Sequence, residues 1–390
     1  MRNAWTHRLA AGAIAALIGM ALGAAGAAAD DTPLSLLVTR SVDGRANNLQ
    51  HPTWGQAGVQ YRRVAPANYV DGKGQQVTPV KADRYVSNRI FNDVNQNVFS
   101  ENGVSQWGFV WGQFMDHTFG LRAQTSVSAP LPFPGFPADP LESFSSDAPI
   151  DFTRSAVAPG TGVNNARQQL NTVSSYIDGS TVYGDSATRL DWLRQGSVDG
   201  NPANNSASLV LPDGYLPRRG ARGNAATAPP TDLIGRLAGF PNEAVVAGDV
   251  RANENIALTG THTLFAREHN RIVAALPAAL SQELKFQIAR RVVGAEQQFI
   301  TYNEFLPALG VNLAPYSGYK PNVDATLTNE FATVGYRAHS MIHGEFETDA
   351  EADEFTPAQI DALRAAHDEG ALDGRFILGE ERFCREQKTE

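Results

Sequence analysis

The stretch Trp111-Gly-Gln-Phe-Met-Asp-His-Thr118 places an amide, a carboxylate and an imidazole on one side of a predicted helix. Gln113, Asp116 and His117 occupy positions i, i+3 and i+4, which share one helical face. The neutral imidazole of His117 can accept and return a proton near neutral pH. Taken alone, the pattern also suits a polar helix face with one structural histidine, so its meaning depends on the segments around it.

A second polar segment, Ala247-Gly-Asp-Val-Arg-Ala-Asn-Glu-Asn255, lies more than one hundred residues further along the chain. Arg251 and Glu254 are three residues apart, so one helical face can present both side chains. Alone, this spacing is most often that of a surface ion pair. The next segment, Thr261–Arg271, contains His262 and His269, which we predict to be structural.

A third segment, Ser174-Ser-Tyr-Ile-Asp-Gly-Ser-Thr-Val-Tyr-Gly184, carries oxygen atoms at alternate positions. Such oxygens can surround one hard cation, although the same composition also forms ordinary turns. The oxygens belong to Ser174, Tyr176 (its main-chain carbonyl), Asp178 and Ser180.

The fourth segment, Phe331-Ala-Thr-Val-Gly-Tyr-Arg-Ala-His-Ser-Met-Ile-His343, places two histidines four residues apart on a predicted helix. In this order, the four segments resemble the haem-binding segments of the animal-type haem peroxidases, within the peroxidase-cyclooxygenase superfamily. The similarity extends over about residues 40–345 and includes three further blocks, 41–55, 84–91 and 294–307.

The resemblance implies a fold and an activity. The fold is a mainly α haem peroxidase domain with long loops, spanning residues 30–390. The cofactors are haem b and calcium. The activity is reduction of hydrogen peroxide through a ferryl intermediate, with oxidation of phenols, halides or other small electron donors.

The resemblance also assigns roles to single residues. His117 matches the distal proton shuttle, Arg251 the distal arginine, and Gln113 the residue that lines the distal water and halide site. His339, rather than His343, matches the ligand of the haem iron. The two carboxylates that form haem esters match Asp116 and Glu254. The calcium ligands match Thr118, Ser174, Tyr176, Asp178 and Ser180.

Two positions depart from the family pattern inside the expected site. Thr118 stands where the family usually has an aspartate, which removes one negative charge from the implied calcium site. Asn255 stands where the best-known halogenating member has a methionine linked to a haem vinyl group. We therefore expect no sulfonium link, while the two ester links remain expected.

The proximal segment departs from the pattern as well. Tyr336 lies three residues before His339, where the peroxidases usually have an arginine. Tyr-x-x-His is the pattern of the related fatty-acid oxygenases, in which a tyrosyl radical abstracts hydrogen from a lipid. One alternative is therefore a fatty-acid dioxygenase that uses Tyr336, although a packed aromatic side chain is the simpler interpretation.

Only 51 residues follow His339, fewer than in the family, where this region supplies the hydrogen-bond partner of the proximal histidine. A second alternative is therefore a truncated, non-catalytic protein that binds haem or calcium.

Hydrophobic periodicity predicts a mainly α domain without internal repeats. Polar, proline-rich stretches at 123–166 and 197–240 predict long surface loops, and the acidic run 345–354 predicts a solvated loop. The helices are predicted within 101–122, 167–196, 251–278, 280–302, 326–343 and 357–367.

Residues 1–29 have the basic start, apolar stretch and small-residue cleavage site of a signal peptide. They predict a secreted or periplasmic bacterial protein without an integral membrane segment after cleavage. Cys384 is the single cysteine, so no internal disulfide can form. The net charge of -9 argues against nucleic acid as a partner.

Overall fold

The computed structural model describes residues 40–77, 81–92, 100–124, 139–142, 154–233 and 235–342, and the short stretches 347–350, 356–358, 361, 375–378 and 381–383. The predicted signal peptide, His343, Cys384 and most of the predicted helix 357–367 lie outside the described residues.

The described residues confirm a mainly α fold. Its helices are α1 (Asp83–Ile90), α2 (Gln106–Phe119), α3 (Ser180–Tyr183), α4 (Ala187–Leu193), α5 (Ile256–Ala275), α6 (Gln282–Ile300) and α7 (Leu306–Ala308). A π-helical turn, Thr301–Phe305, joins α6 to α7. The predicted loop 197–240 contains short 3-10 turns, and a further one follows at Pro241–Glu243.

Within the described residues the strands are short and form two sheets. Strand β1 (Val59–Gln60) pairs antiparallel with β2 (Leu170–Asn171). Strand β3 (Glu347–Ala350) pairs in parallel with β4 (Arg375–Leu378), which pairs antiparallel with β5 (Glu381–Phe383). The prediction of a loop over 345–354 is therefore wrong for 347–350, because main-chain pairing with β4 satisfies peptide groups of this segment.

Three helices form the core that positions the site. Helix α5 packs against both α2 and α6, and the ends of all three are set by local sequence. Asn255 caps α5, Ser281 caps α6, and α2 ends at Gly120. The buried core includes Phe114, Met115, Tyr183, Trp192, Leu258, Phe265, Ile272, Phe286, Ala289 and Val293.

The predicted proximal helix 326–343 is not regular in the structure. It consists of a π-helical turn, Phe331–Gly335, and a 3-10 turn, His339–Met341, separated by an irregular segment at Tyr336. Between Phe331 and His339 only Ala332 is buried. A helix gains most of its stability by packing an apolar face, and this segment gains little from packing.

Candidate functional site

The last turn of α2 and the turn before α5 form the candidate site. His117 is 4% exposed and lies at the end of α2. Its Nε2 is 3.4 Å from Oε2 of Glu254, and its Nδ1 is 3.6 Å from Oδ1 of Asp249. Nδ1 is buried and has no hydrogen-bond partner at normal distance among the described residues. The imidazole is thus placed between two carboxylates from the other segment.

Asp249 binds Arg251 through both of its carboxylate oxygens. Nε of Arg251 donates to Oδ1 and Nη2 donates to Oδ2, each at 2.8 Å, and the main-chain N–H of Arg251 also donates to Oδ1. Burial opposes ionisation of Asp249, but the charges of Arg251 and His117 outweigh it and hold its pKa far below the usual range. The pair is therefore a buried, hydrogen-bonded ion pair.

Arg251 also holds the end of α2. Its Nη1 donates to the carbonyl of Gly120 at 3.0 Å, and its Nη2 donates to the carbonyl of His117 at 3.3 Å. Four of the five N–H groups of the guanidinium are therefore engaged with the protein. Nη1 also lies 4.0 Å from Oδ2 of Asp116. This arrangement fixes the position of His117 through its main chain.

Gln113 connects the two segments on the same side of α2. Its Nε2 donates to Oε2 of Glu254 at 2.6 Å, and its Oε1 accepts from Nδ2 of Asn255 at 2.8 Å. Burial opposes ionisation of Glu254, but hydrogen bonding and charge from His117, with Arg251, keep its pKa below the usual value. Glu254 therefore accepts hydrogen bonds as a carboxylate.

The structure brings together all the predicted distal residues, but it corrects how they are presented. Arg251 and Glu254 were expected on one helical face. They lie instead in the turn that precedes α5, because Asn255 caps that helix and delays its start to Ile256. Asp116 lies 3.7 Å from Nη1 of Arg337, so it contacts arginines from two segments.

The proximal segment contacts α2 directly. The hydroxyl of Tyr336 donates to the carbonyl of Gly112 at 3.1 Å, and its ring packs edge-on against Phe119. Burial raises the pKa of Tyr336, so its hydroxyl stays protonated. His339 is exposed and lies in the 3-10 turn that packs against α2. Because the backbone before His339 is irregular, His339 lies in a short 3-10 turn and not in the predicted α-helix.

The predicted calcium loop divides into two hydrogen-bonded pairs. Oγ of Ser180 donates to the carbonyl of Thr118, which ties the loop to the residue after His117. Oγ of Ser174 donates to Oδ2 of Asp178 at 3.2 Å. The side chain of Tyr176 is separate from these pairs, since its hydroxyl donates to the carbonyl of Trp54.

Asp178 is the single carboxylate of this loop set. Nδ2 of Asn47 also donates to its Oδ2, while its Oδ1 is buried without a hydrogen-bond partner in the described structure. Burial raises the pKa of Asp178 to about 6, although Arg290 counteracts the rise. The buried Oδ1 of Asp178, on the carboxylate that the Ser174 hydroxyl contacts, is an oxygen of the kind that a hard cation takes, with fewer charged ligands than tight sites use.

The donor set on the distal side fits a haem that reacts with peroxide. It combines an imidazole, a buried guanidinium, an amide and two partly exposed carboxylates, Asp116 and Glu254. These groups can transfer a proton, stabilise negative charge and form esters with the cofactor edge. His339 supplies an exposed imidazole of the type that ligates haem iron.

Two contacts of the site were not predicted from the sequence. Asp249 was overlooked because its contact with Arg251 spans only two positions, a spacing that brings side chains together in a turn but not in a helix. Asn255 was noted as a departure from a family methionine, but its contact with Gln113 was not foreseen. Its position directly before a helical pattern was the available signal, because asparagine favours the N-cap.

The histidines of α5 are structural, as predicted. Nδ1 of His262 lies 3.0 Å from the carbonyl of Thr181, and His269 lies 2.9 Å from both the Tyr183 hydroxyl and the Ala207 carbonyl. Burial lowers the pKa of each imidazole to about 4. Within the described part of the chain, no helix has the length and apolar character needed to cross a membrane.

Sequence comparison finds related proteins over most of this chain. The family model described as animal haem peroxidase matches residues 39–369. Thyroid peroxidase of Canis lupus familiaris is 32% identical over 347 residues, covering 78% of this chain and 36% of the dog protein. Peroxidase mlt-7 of Caenorhabditis elegans is 36% identical over 330 residues, covering 78% of this chain and 42% of the worm protein. The chain thus spans less than half the length of these relatives.

Two solved structures also resemble the structure of this chain. Peroxidase A of Dictyostelium discoideum matches with a TM-score of 0.61 and 28% identity, over 77% of this chain and 58% of that protein. A fatty acid alpha-dioxygenase of Oryza sativa matches with a TM-score of 0.53 and 20% identity, over 82% of this chain and 51% of that one. The second likeness concerns the fold alone.

Proposed function

Because the chain belongs to the animal haem peroxidase family, we propose that it is a haem-dependent peroxidase that reduces hydrogen peroxide and oxidises small donors. The observation that carries the proposal is the position of His117, whose Nε2 lies 3.4 Å from Glu254 while Arg251 holds its main chain. When bound, haem supplies the iron at which peroxide is cleaved and through which electrons are drawn from the donor.

In this proposal His117 moves the proton. Its Nε2 accepts a proton from one peroxide oxygen and returns it to the other, the work of a positioned general acid and base. Glu254 lies 3.4 Å from Nε2, and Asp249 lies 3.6 Å from Nδ1, so a carboxylate faces each nitrogen of the ring and fixes its orientation.

Arg251 contributes charge and position. Arg251 is 8% exposed, so its positive charge acts in a poorly screened environment and favours the departing oxygen anion. Its bonds to the carbonyls of His117 and Gly120 orient the last turn of α2. Gln113, on the same helix as His117, donates a hydrogen bond to Oε2 of Glu254.

The remaining site residues are proposed to hold the cofactors. Asp116 and Glu254 would form the two haem esters, and His339 would ligate the iron. Calcium would be bound by Thr118, Ser174, Tyr176, Asp178 and Ser180. The assignment to residues 30–390 as one domain, and export to the periplasm or the exterior after removal of residues 1–29, belong to the same proposal.

The direct test is peroxide-dependent oxidation of a phenol and of iodide by the haem-loaded protein. Turnover should fall by about 10²- to 10⁴-fold in His117→Leu, since that is the usual contribution of a general acid and base. His51→Gln is the matched control, because His51 stacks on Trp54 and is not among the proposed site residues. Equal turnover in His117→Leu and the wild type would overturn the proposed role.

A fatty-acid dioxygenase using Tyr336 is the second candidate, supported by the Tyr-x-x-His spacing. It predicts oxygen uptake in the presence of a fatty acid, and loss of that uptake in Tyr336→Phe. A third candidate is a non-catalytic haem- or calcium-binding protein, which predicts binding without turnover of either substrate.

A further inference from the structure

Asn255 joins the start of α5 to the side chain of Gln113. Its Oδ1 accepts a hydrogen bond from the main-chain N–H of Leu258 at 2.8 Å, as an N-cap residue does. Its Nδ2 donates to Oε1 of Gln113, also at 2.8 Å. One side chain thus caps a 20-residue helix and contacts a residue of α2.

The helix cap fixes the direction of every hydrogen bond that follows. A main-chain N–H can only donate, so the Asn255 atom that faces Leu258 must be the oxygen. The amide has one oxygen and one NH₂ group, so the NH₂ faces Gln113. The Gln113 atom that accepts this hydrogen bond must be its side-chain oxygen. The NH₂ group of Gln113 therefore points away from Asn255.

The NH₂ group of Gln113 therefore points to the reacting side of the site. It donates to Oε2 of Glu254 at 2.6 Å, and the same oxygen lies 3.4 Å from Nε2 of His117. Among the described residues, Glu254 is the one acceptor for the two protons of this group. A carbonyl oxygen in the same place would repel an anion, whereas N–H groups attract one.

We infer that Asn255 is a positioning residue that locks the amide of Gln113 with its N–H groups toward His117, so that the site favours a ligand that accepts hydrogen bonds. The ligand class is a small anion, such as a halide, a pseudohalide or the anionic oxygen of peroxide. The inference rests on the proposed peroxidase function for the identity of the ligand, but the amide orientation stands on hydrogen bonding alone.

The variant Asn255→Asp tests the lock. Aspartate still caps α5 but has no NH₂ group, so it cannot donate to the Gln113 oxygen and competes with Glu254 for the NH₂ of Gln113, which releases the fixed orientation of that amide. The control Asn253→Asp adds the same charge two residues away, where the side chain bonds the main chain of Val245 instead. Asn255→Ser keeps a cap and removes the contact without adding a charge.

The first readout is the dissociation constant of azide, titrated by absorption against the haem-loaded protein. We expect about a fivefold rise in Asn255→Asp, a rise of about two- to threefold in Asn255→Ser, and no more than about twofold in Asn253→Asp, since a net hydrogen bond contributes about 1 kcal/mol. In a Gln113→Leu background, Asn255→Asp should affect azide no more than Asn253→Asp does. Equal values for the two aspartate variants in the wild-type background would overturn the inference.

The second readout needs no haem. In protein labelled with ¹⁵N-glutamine, the side-chain NH₂ protons of Gln113 should show a nuclear Overhauser effect to the ring of His117. The effect should be weaker in Asn255→Asp and unchanged in Asn253→Asp. An unchanged effect in Asn255→Asp would overturn the lock. If the effect behaves as expected while the protein fails to bind haem, the proposed function fails and the lock stands.

Discussion

Asp249 is the residue on which the geometry of the candidate site depends most. It binds the guanidinium of Arg251 with two oxygens, and Arg251 in turn holds the carbonyls of His117 and Gly120. Both partners are buried, so the loss of one leaves the other as an uncompensated charge. The position of the predicted proton shuttle is thus set by a residue that does not touch the substrate.

Asp249→Asn should therefore lower the free energy of unfolding by about 3 kcal/mol, measured by denaturant titration of the haem-free protein, because it leaves Arg251 buried without its counter-charge. Asp213→Asn is the control, since Asp213 is exposed and asparagine tolerates its left-handed backbone (φ 51°). A loss in Asp249→Asn no larger than in the control would show that the ion pair does not support the fold.

Glu296 of α6 should make the free energy of unfolding depend on pH. Burial raises its pKa to about 7, from an ordinary value of 4.5, and the neighbouring carboxylate of Glu268 on α5 adds to the rise. Between these two pH values the folded state holds a proton that the unfolded state has lost. The free energy of unfolding should therefore fall as pH rises from 4.5 to 7.

Glu296→Gln should remove this slope. At pH 8 the variant should be more stable than the wild type by about 1 kcal/mol, after allowance for solvent screening, and the difference should vanish near pH 4. Denaturant titrations across this range measure the effect, with the exposed Glu304→Gln as control. A wild-type curve that rises between pH 4.5 and 7 relative to Glu296→Gln would contradict the assignment.

At the scale of elements, the sequence predicted the long amphipathic helices and failed where packing is sparse. Helices α5 and α6 follow their hydrophobic periods and begin at capping side chains. The segment 326–343 has a helical pattern as well, but few of its side chains are buried, and it breaks at Tyr336. A periodic pattern predicts which face of a helix can be buried, but it does not predict which other segment of the protein packs against that face.

Tyr336 connects this broken segment to α2. Its hydroxyl donates to the carbonyl of Gly112, so Tyr336→Phe should lower the free energy of unfolding by about 0.5–1.5 kcal/mol while peroxide-dependent phenol oxidation stays within about twofold of the wild type. Denaturant titration and turnover of the haem-loaded variant measure the two effects. Fatty-acid-dependent oxygen uptake that disappears in this variant would instead favour the dioxygenase.

At the scale of the whole molecule, the site joins segments far apart in sequence. Gln113 and Glu254 are 141 residues apart, and neither spacing nor composition predicts that they meet. The family resemblance predicted which residues form the candidate site, because related proteins with known structures show which distant segments come into contact. The residue pattern of this chain alone does not show such contacts. It did not predict the hydrogen-bond directions, which depend on Asp249 and Asn255 of this chain.

The proposed calcium site is a second long-range feature, because Ser180 ties its loop to Thr118, the residue after His117. Calcium should raise the midpoint temperature of thermal unfolding relative to the chelated protein, since a ligand that binds only the folded state stabilises it. Asp178→Asn should abolish the rise, while Asp199→Asn in an exposed turn should retain it. The same rise in both variants would place calcium elsewhere.

The most direct test of the central claim is the second-order rate constant for the reaction of hydrogen peroxide with the haem-loaded protein, followed by stopped-flow absorption at the Soret band. The proposal predicts a rate constant about 10²- to 10⁴-fold lower in His117→Leu than in the wild type, with equal haem content and an unchanged rate constant in His51→Gln. Equal rate constants in the wild type and His117→Leu would contradict the assignment of His117 as the proton shuttle, and with it the proposed mechanism.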